Sequence, residues 1–565
     1  MLEKERISAE TAEPASAAAP ATMLSGKLGR IRRRVGAVLF LAAMVIQQTA
    51  WHWLAEDRTR QVMVAIMIVA FALLVLVLWW MFFPGATWRA RFQGAAAVAV
   101  AIGIWIGLFR LDGFSGEVLP QFSMRWNPAA GRPARALANP PAAVAKHQPG
   151  GAAEVRRPPL VEPGDWPEFR GSKRDGVVTD LQLSKNESDY PPRLMWRRPV
   201  GAGWSSFAVV GPWALTQEQR ADDEAVVCYE LETGREIWVH TDRGRFVREP
   251  SGEGPRGTPT VVANGVLTVG ATGLLNCLDL ATGAVRWSHE ILTENSAQNK
   301  EWGTSSSPLA FEDLVVVNPG GPNGHGVVAY DLKTGEKRWS AGNDKSGYAS
   351  PQLAKIGGVE QILVFDAAGL AGHDQHRGTE LWKFPWKNGP QISVAQPIVL
   401  SDHEVFVGNG YGHGCTVVEV LADGKAWTAT ALLPASTAKN LKLKFNGAVA
   451  RDGFVYGLDE GILTCFDLKT GERRWKRGRY GYGQLLLVDD VVLVQAESGE
   501  VVLVQASPED ETVLARFQAL DDKTWNQPVI CHGKLLVRNA TEAACYDMAP
   551  KALANVRPER RHGSD

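Results

Sequence analysis

Signatures of catalysis are missing from this chain of 565 residues. It has no nucleophile elbow, no phosphate-binding loop and no HExxH pair, which takes α/β-hydrolase, P-loop and zincin chemistry out of the sequence reading. Its six cysteines include no CxxC, no CxxCH and no adjacent pair, so neither a zinc knuckle nor a c-type haem attachment is written in the spacing, and no metal-ligating set is read from it. An excess of either charge is also lacking: 60 Lys and Arg face 61 Asp and Glu, for a net charge of −1. Bulk electrostatics therefore point to no nucleic-acid partner. From Trp196 onward no window carries a long 3.6-residue period, which disfavours a helical solenoid.

What the chain does have is a repeat. The stretch Leu463–Lys476, LTCFDLKTGERRWK, has the core Asp-x-x-Thr-Gly-x-x-x-Trp. An apolar run ends at Asp467, Thr470-Gly471 turns, and a second run ends on Trp475. Gly tolerates the positive φ of a tight turn, and the Asp carboxylate can accept the turn's N–H groups, so the unit reads as a β-hairpin with one aromatic anchor. Copies run from Asp331 to Trp339, Asp279 to Trp287, Glu230 to Trp238 and, more worn, Asp374 to Trp382. Degenerate copies end at Trp427 and Phe517. The seven anchors are spaced 49, 52, 43, 45, 48 and 42 residues apart. With short strands, that period predicts a β-propeller with one four-stranded blade per repeat. The second repeat divides into Arg256–Val262, Gly265–Gly270, Leu275–Leu280 and Val285–His289, each bounded by turn dipeptides,.

Counting strands predicts how the propeller closes. After Phe517 three strands remain, Thr524–His532, Lys534–Asn539 and Glu542–Met548, without an outer fourth. Arg193–Val200 carries Trp196 at the anchor position, 42 residues before Trp238. The expectation is an all-β, eight-bladed β-propeller of four-stranded antiparallel blades over 165–548, its last blade built from both ends so that no sheet edge stays open.

The N-terminal part reads differently. Residues 1–34 are a disordered, basic N-terminus ending in Lys27, Arg30, Arg32, Arg33 and Arg34,. Three apolar runs follow, at about 35–54, 61–83 and 92–111, each long enough for a membrane helix. A cleaved signal peptide is the rival for the first run, but two more runs follow it and no small-x-small site is visible after Gln48,. The basic cluster and Arg89 with Arg91 place their loops inside, so the chain beyond Leu111 faces outside,. Gly103 and Gly107 form a GxxxG in the third run,. Residues 112–164, rich in Pro, Ala and Gly, read as a flexible linker, and 549–565 as a disordered tail,.

The segment Asp165-Trp-Pro-Glu-Phe-Arg-Gly171, followed by Asp-x-x-Thr-Gly-x-x-x-Trp blades, resembles the PQQ-like β-propeller repeat family. The loops Asn318-Pro-Gly-Gly321 and Gly410-Tyr-Gly-His-Gly-Cys415 are similar to that group's. The resemblance covers about 165–548. It implies a bacterial envelope protein, with the propeller on the periplasmic side of the inner membrane and the N-terminal helices in the bilayer. It also implies kinship in fold with quinoprotein dehydrogenases and with the propeller lipoprotein of outer-membrane assembly.

Candidates for chemistry are few. Cys228, Cys277, Cys465 and Cys545 share one repeat position, filled by Ala329 and Gly372 elsewhere, and read as small buried side chains with free thiols. His325 and His413 lie in Gly-rich loops; His373 and His376 belong to a worn turn and are expected at the surface. Asp489-Asp490 and Asp521-Asp522 fall where turns are expected. The starts of the innermost strands supply the ligand-site candidates: Trp204, Arg256, Thr258, Trp302, Thr304, Tyr348, Gln396, Asn446, Trp525 and Asn526. Aromatics among hydroxyls and amides suit a flat polar ligand, and the same residues could equally fill the channel. Arg243, Arg245, Arg248 and Arg256 could form an anion rim or a plain charged loop.

Two functions follow. One is a binding or scaffold module for an envelope protein or a small ligand. The other, implied by the resemblance, is a quinoprotein-type oxidoreductase using PQQ and calcium. No adjacent cysteines occur, and the inner-strand starts offer Asn446 and Asn526 but no carboxylate, whereas calcium wants several oxygen ligands including carboxylates. The sequence therefore favours binding.

Overall fold

The computed structural model describes residues 58–82, 87–126 and 158–548 apart from Asp180, Pro250 and Lys425, with scattered positions between 38 and 49. The expected disordered termini, most of the first apolar run and most of the linker lie outside the described residues. The chain divides into two units, residues 1–111 with 117–126, and 112–116 with 127–565.

The first unit holds the helices Arg58–Phe82 and Trp88–Leu108. Among the described residues, Trp88–Leu108 is the helix long and apolar enough to cross a membrane. Thr87 caps it by accepting the Ala90 N–H at 3.3 Å, so the helix starts before the expected residue 92 and takes Arg89 and Arg91 into its first turn. It stops at Leu108, short of the expected 111, because Phe109–Phe114 is extended. A second strand, Pro120–Met124, occupies the start of what the sequence reads as linker, with Phe122 edge-on to Trp105 at 4.7 Å. Gly103 and Gly107 have nothing within 4 Å of where a Cβ would sit.

In the second unit the repeat motif makes the fold. The carboxylate of Asp467 accepts the N–H groups of Lys469 at 2.9 Å and Thr470 at 3.0 Å, and Asp331 holds Lys333 and Thr334 in the same way. This pins each turn from inside. The anchor Trp then reaches out of its own sheet. The indole N–H donates to the carbonyl just after the next repeat's acidic residue: Trp196 to Leu231 at 2.8 Å, Trp238 to Leu280 at 2.9 Å, Trp287 to Leu332 at 3.0 Å. The turn glycine lies flat on the same ring. Gly283 has φ +72, and a Cβ there would fall 2.5 Å from Trp238. Directly across the strand from each anchor stands the small residue of the shared slot: Cys228, Cys277, Ala329, Gly372, Cys465 and Cys545 face Trp238, Trp287, Trp339, Trp382, Trp475 and Trp196. All six cysteines are buried and stand outside any disulfide.

Among the described residues eight sheets of this kind follow one another, seven of four strands and one of five. The last combines Val529–Cys531, Lys534–Arg538 and Glu542–Asp547 with Arg193–Pro199, pairing Cys545 with Trp196. Three details differ from the sequence reading. Inner strands are shorter than expected: the second sheet begins at Thr260, not Arg256, because Pro259 offers no N–H to a ladder and the residues before it bond between sheets instead. The seventh sheet gains a fifth strand, Val177–Val178, parallel to Gln484–Val488. His373, expected at the surface, is 2% exposed and bonded to the Gly378 carbonyl at 2.9 Å. It fills the position after the small slot, which elsewhere buries Tyr229, Leu278, Tyr330, Phe466 and Tyr546.

Replacing Gly283 by Ala combines an unfavourable φ with a collision against Trp238. Gly453 has φ +85 but nothing within 4 Å. Gly283→Ala is expected to cost about 2–3 kcal/mol and Gly453→Ala about 1 kcal/mol. Urea midpoints of the two variants check the order; equal losses would contradict the stacking argument.

Candidate functional site

Residues just ahead of the inner strands join sheet to sheet. The Ser206 N–H donates to the Thr258 hydroxyl at 3.1 Å, Thr258 N–H to Ser307 at 2.9 Å, Ser307 N–H to Ser350 at 2.9 Å and Ser350 N–H to the Gln396 amide oxygen at 3.2 Å. Gly447 N–H donates to Gln484 at 3.2 Å, Gln527 to the Leu485 carbonyl at 2.7 Å, and the Ser206 hydroxyl to the Gln527 carbonyl at 2.7 Å. This belt uses Thr258 and Gln396 from the sequence-derived set and adds Ser206, Ser307, Ser350, Gln484 and Gln527. Most of these stand two residues before their inner strand, a register visible once the repeats are aligned on those strands.

At Gly447 the belt has no side chain. Its place is taken by Arg170 of the leading segment 165–176, whose Nη1 lies 2.2 Å from where a Gly447 Cβ would be. Arg170 donates from Nη2 to the carbonyls of Asp175 at 2.7 Å and Ala448 at 2.6 Å. Arg174 points to other sheets, donating to the carbonyls of Pro308 and Pro351 at 2.6 Å each, and pairs with Glu168 at 2.6 Å. Both arginines are 1% exposed, and burial pulls the Arg170 guanidinium down to about 10. The leading segment 165–176 thus buries two cations, Arg170 from the Trp-Pro-x-Phe-Arg-Gly motif and Arg174 just after it.

The ten sequence-derived candidates divide into groups. Thr258 and Gln396 are belt members. Thr304, Asn446 and Asn526 are buried: the Thr304 hydroxyl donates to the Asn299 amide oxygen at 3.3 Å, Asn446 to the Leu458 carbonyl, and Asn526 to the carbonyls of Gly203 and Ser205. The remaining five are half-buried. Trp204 and Trp525 lie 4.9 Å apart, with the Lys523 ammonium 4.3 Å above Trp525 and 5.5 Å from Trp204. Trp302 and Tyr348 lie 5.7 Å apart, with Lys300 4.5 Å from the Tyr348 ring. Arg256 packs over Phe246 at 4.7 Å. Sequence reasoning missed Phe445, 5.0 Å from Trp525, and the lysines over the rings. It also missed two carboxylates from strand-connecting hairpins. Glu497 accepts the Trp525 indole N–H at 3.1 Å and the Tyr482 N–H at 3.0 Å. Glu460 pairs with Lys444 at 2.7 Å and accepts the Tyr482 hydroxyl at 2.8 Å.

The arginines of loop 243–256 do not gather as an anion rim. Arg243 pairs with Asp222 and Asp223, Arg245 with Glu253, and Arg248 with Glu301, while Arg256 turns to Gly252 and Ser251. His413 stands edge-on to Trp386 at 4.4 Å. Asp489 and Asp522 sit at positive φ, as turn residues do.

These features, repeated hairpins with a Trp hand-over and a polar belt, agree with the comparisons. A family model described as outer membrane protein assembly factor BamB matches residues 195–477, half of the chain. The chain belongs to this PQQ-like propeller repeat family. BamB of Yersinia pestis is 22% identical over 382 residues, covering 66% of this chain and 79% of that protein. Quinohemoprotein alcohol dehydrogenase from Comamonas testosteroni superposes with a TM-score of 0.50 at 13% identity, over 69% of this chain and 81% of that one. BamB from Moraxella catarrhalis gives 0.45 at 16% identity, over 63% and 97%. At such identities the structural likeness is one of fold.

Two buried carboxyls on the hairpins make stability pH-dependent. Burial pushes Glu224 and Asp366 each up to about 7. Between the unfolded values near 4 and the folded value the native state holds more protons, so stability falls as pH rises through that window, by at most about 1.4 kcal/mol per pH unit for each group. Thermal melts should show a lower Tm at pH 8 than at pH 5. The double variant Glu224→Gln, Asp366→Asn keeps the amide oxygens that accept Ala271, Ala368 and Gly369 and should lose most of that difference. Separately, Arg170→Ala strands the Asp175 and Ala448 carbonyls and is expected to cost about 2–4 kcal/mol, read as a lower urea midpoint that Arg170→Lys does not restore.

Proposed function

We propose that this chain is a membrane-tethered extracytoplasmic binding module, an eight-bladed propeller over 165–548 that docks a protein partner of the cell envelope. The observation that carries the reading is the contrast between a buried polar belt and a half-exposed aromatic rim. The belt and the two arginines spend most of their polar groups on the chain's own backbone, whereas Trp204, Trp302, Tyr348, Phe445 and Trp525 remain half-buried, with lysines over the rings of Trp204, Trp525 and Tyr348. Half-exposed aromatics beside cations are the composition of protein-binding hot spots. The relative from Yersinia pestis is named as an outer membrane protein assembly factor, which supports an assembly role here. The apolar helix Trp88–Leu108, with Arg89 and Arg91 at its start, supports an anchor whose far side carries the propeller,. Three membrane helices lie in the inner membrane on this reading, one at about 35–54 and the others at Arg58–Phe82 and Trp88–Leu108, with a flexible linker over most of 112–164.

The oxidoreductase reading needs PQQ with calcium, and the residues at the rim do not fit them. Calcium takes six to eight oxygens, carboxylates among them. Glu460 is paired with Lys444 through Oε2, which leaves its buried Oε1 as a single oxygen without a partner, and both oxygens of Glu497 accept hydrogen bonds from Trp525 and Tyr482, so one free carboxylate oxygen falls short of a calcium shell,. Lys444 and Lys523 beside them repel a second cation.

The test uses the full chain in native membranes. A photo-crosslinking residue in place of Phe445 is expected to give one discrete protein adduct, and Trp204→Ala with Trp525→Ala to weaken recovery of that partner at least about tenfold. Full-length protein supplied with PQQ and calcium is expected to show neither quinone absorbance nor dye-linked alcohol oxidation. Undiminished partner recovery by the double variant, or stoichiometric quinone uptake, would sink the proposal.

A further inference from the structure

The leading segment meets the sheets at one more place, away from the rim. The carboxylate of Asp165, the thiol of Cys531 and the imidazole of His532 come together there although 366 residues separate Asp165 from Cys531 in the chain. Asp165 precedes Trp166, whose N–H and carbonyl pair with Val209 of the first sheet. Cys531 and His532 form the first hairpin of the sheet completed from both chain ends, between Val529–Cys531 and Lys534–Arg538. One potential ligand atom from each residue lies within 4.8 Å of the other two. Asp165 and Cys531 are buried, and the His532 side chain is 40% exposed, open to solvent on one side.

We propose that Asp165, Cys531 and His532 form a binding site for a borderline divalent cation of the zinc class. A thiolate, an imidazole and a carboxylate are the donors such an ion prefers, and a sulfur ligand argues against calcium or magnesium. The present contacts fit a site ready to accept it. His532 Nε2 lies 2.7 Å from Asp165 Oδ1, and Cys531 Sγ donates to the Gly164 carbonyl at 3.1 Å. Tetrahedral coordination would separate the donor atoms by about 3.3–3.6 Å, so the carboxylate and imidazole need to part by a few tenths of an ångström on the exposed His532 side. Asp165 is already oriented as a second shell would orient it: Oδ1 accepts the Gly211 N–H at 2.9 Å and Oδ2 the Glu162 N–H at 2.7 Å,. A water on the exposed side completes four ligands.

On binding, the Cys531 thiol loses its proton and the S–H bond is replaced by a sulfur–metal bond. Neutral His532 passes from the Nε2–H to the Nδ1–H tautomer through solvent, so that Nε2 can ligate and no proton is lost from the ring. One proton therefore leaves per ion, and carboxylate, thiolate and divalent cation sum to a neutral site. The ion would staple the start of the leading segment to the sheet in which the two chain ends meet. This does not depend on what the rim binds.

The experiment uses the full-length chain without a histidine tag, in detergent and stripped by chelator, titrated with cobalt(II) and zinc(II). Expected are a thiolate-to-cobalt charge-transfer band saturating at a single ion per chain, its displacement by zinc, and release of one proton per ion by calorimetry in buffers of different ionisation enthalpy. Cys531→Ser should abolish the band and His532→Ala weaken zinc binding at least about tenfold. Zinc should raise the Tm of the wild type and not of either variant. Both substitutions are small or exposed, and melts without metal report whether each variant folds. A titration without a thiolate band, or one unchanged in Cys531→Ser, overturns the proposal.

Discussion

The structure depends on a hand-over between neighbours. Trp196, Trp238 and Trp287 belong to one sheet by their backbone and to the next by their indole N–H, which reaches the carbonyl after the following acidic residue, while Trp339 keeps the ring contact with the next turn glycine without that bond. The next turn then has to present a glycine, because only a residue without Cβ can lie on that ring at positive φ,. The small slot obeys the same demand from within the sheet, since a large side chain opposite the Trp would push it off the neighbouring turn. Asp, Thr-Gly, Trp and the slot residue are thus four consequences of one contact. Where the contact weakens the motif decays: the Trp382 indole bonds Gln361 of its own sheet instead, and Ala422 with Trp427 is followed by a shortened arm.

This explains why the fold was legible and the site was not. The hand-over constrains residues by type at fixed spacing, so the hairpins, the anchors, the unbridged thiols and the pairing of Arg193–Pro199 with the final strand could be read from the chain. Pairing within the belt constrains only hydrogen-bonding capacity. Ser, Thr and Gln all serve, and one blade uses Gly447 with a guanidinium borrowed from residue 170, so no letter pattern announces it. Thr258, Gln396, Asn446 and Asn526 were singled out as polar residues at strand starts and prove to be occupied with backbone. His373 misled for a related reason. It sits in a worn turn sequence, but its position is the one that buries a large side chain in every well-kept repeat.

Arg170 and Arg174 change how the interior should be viewed. A buried guanidinium is tolerated when most of its donors are used, and here they are spent on carbonyls and on Glu168, with Arg170 Nε left without a partner,. The leading segment is therefore part of the framework: without Arg170 the belt lacks a side-chain donor at Gly447. A ligand entering the belt's interior would have to displace these bonds as well as water, and the loss of a charged buried pair is expensive.

The half-buried rim is subject to no such conflict. Its rings already carry lysines on their faces, and its carboxylates are tied to indole, amide and ammonium groups, so the geometry is held before any partner arrives. Preorganisation of this kind lowers the ordering cost of association. Hard-cation chemistry asks for the reverse, carboxylate oxygens left free to converge. The same hydrogen bonds that fix Trp525 and Tyr482 use up both oxygens of Glu497. Rigidity of the aromatic rim and availability of its carboxylates are therefore alternatives, and this sequence has taken the first.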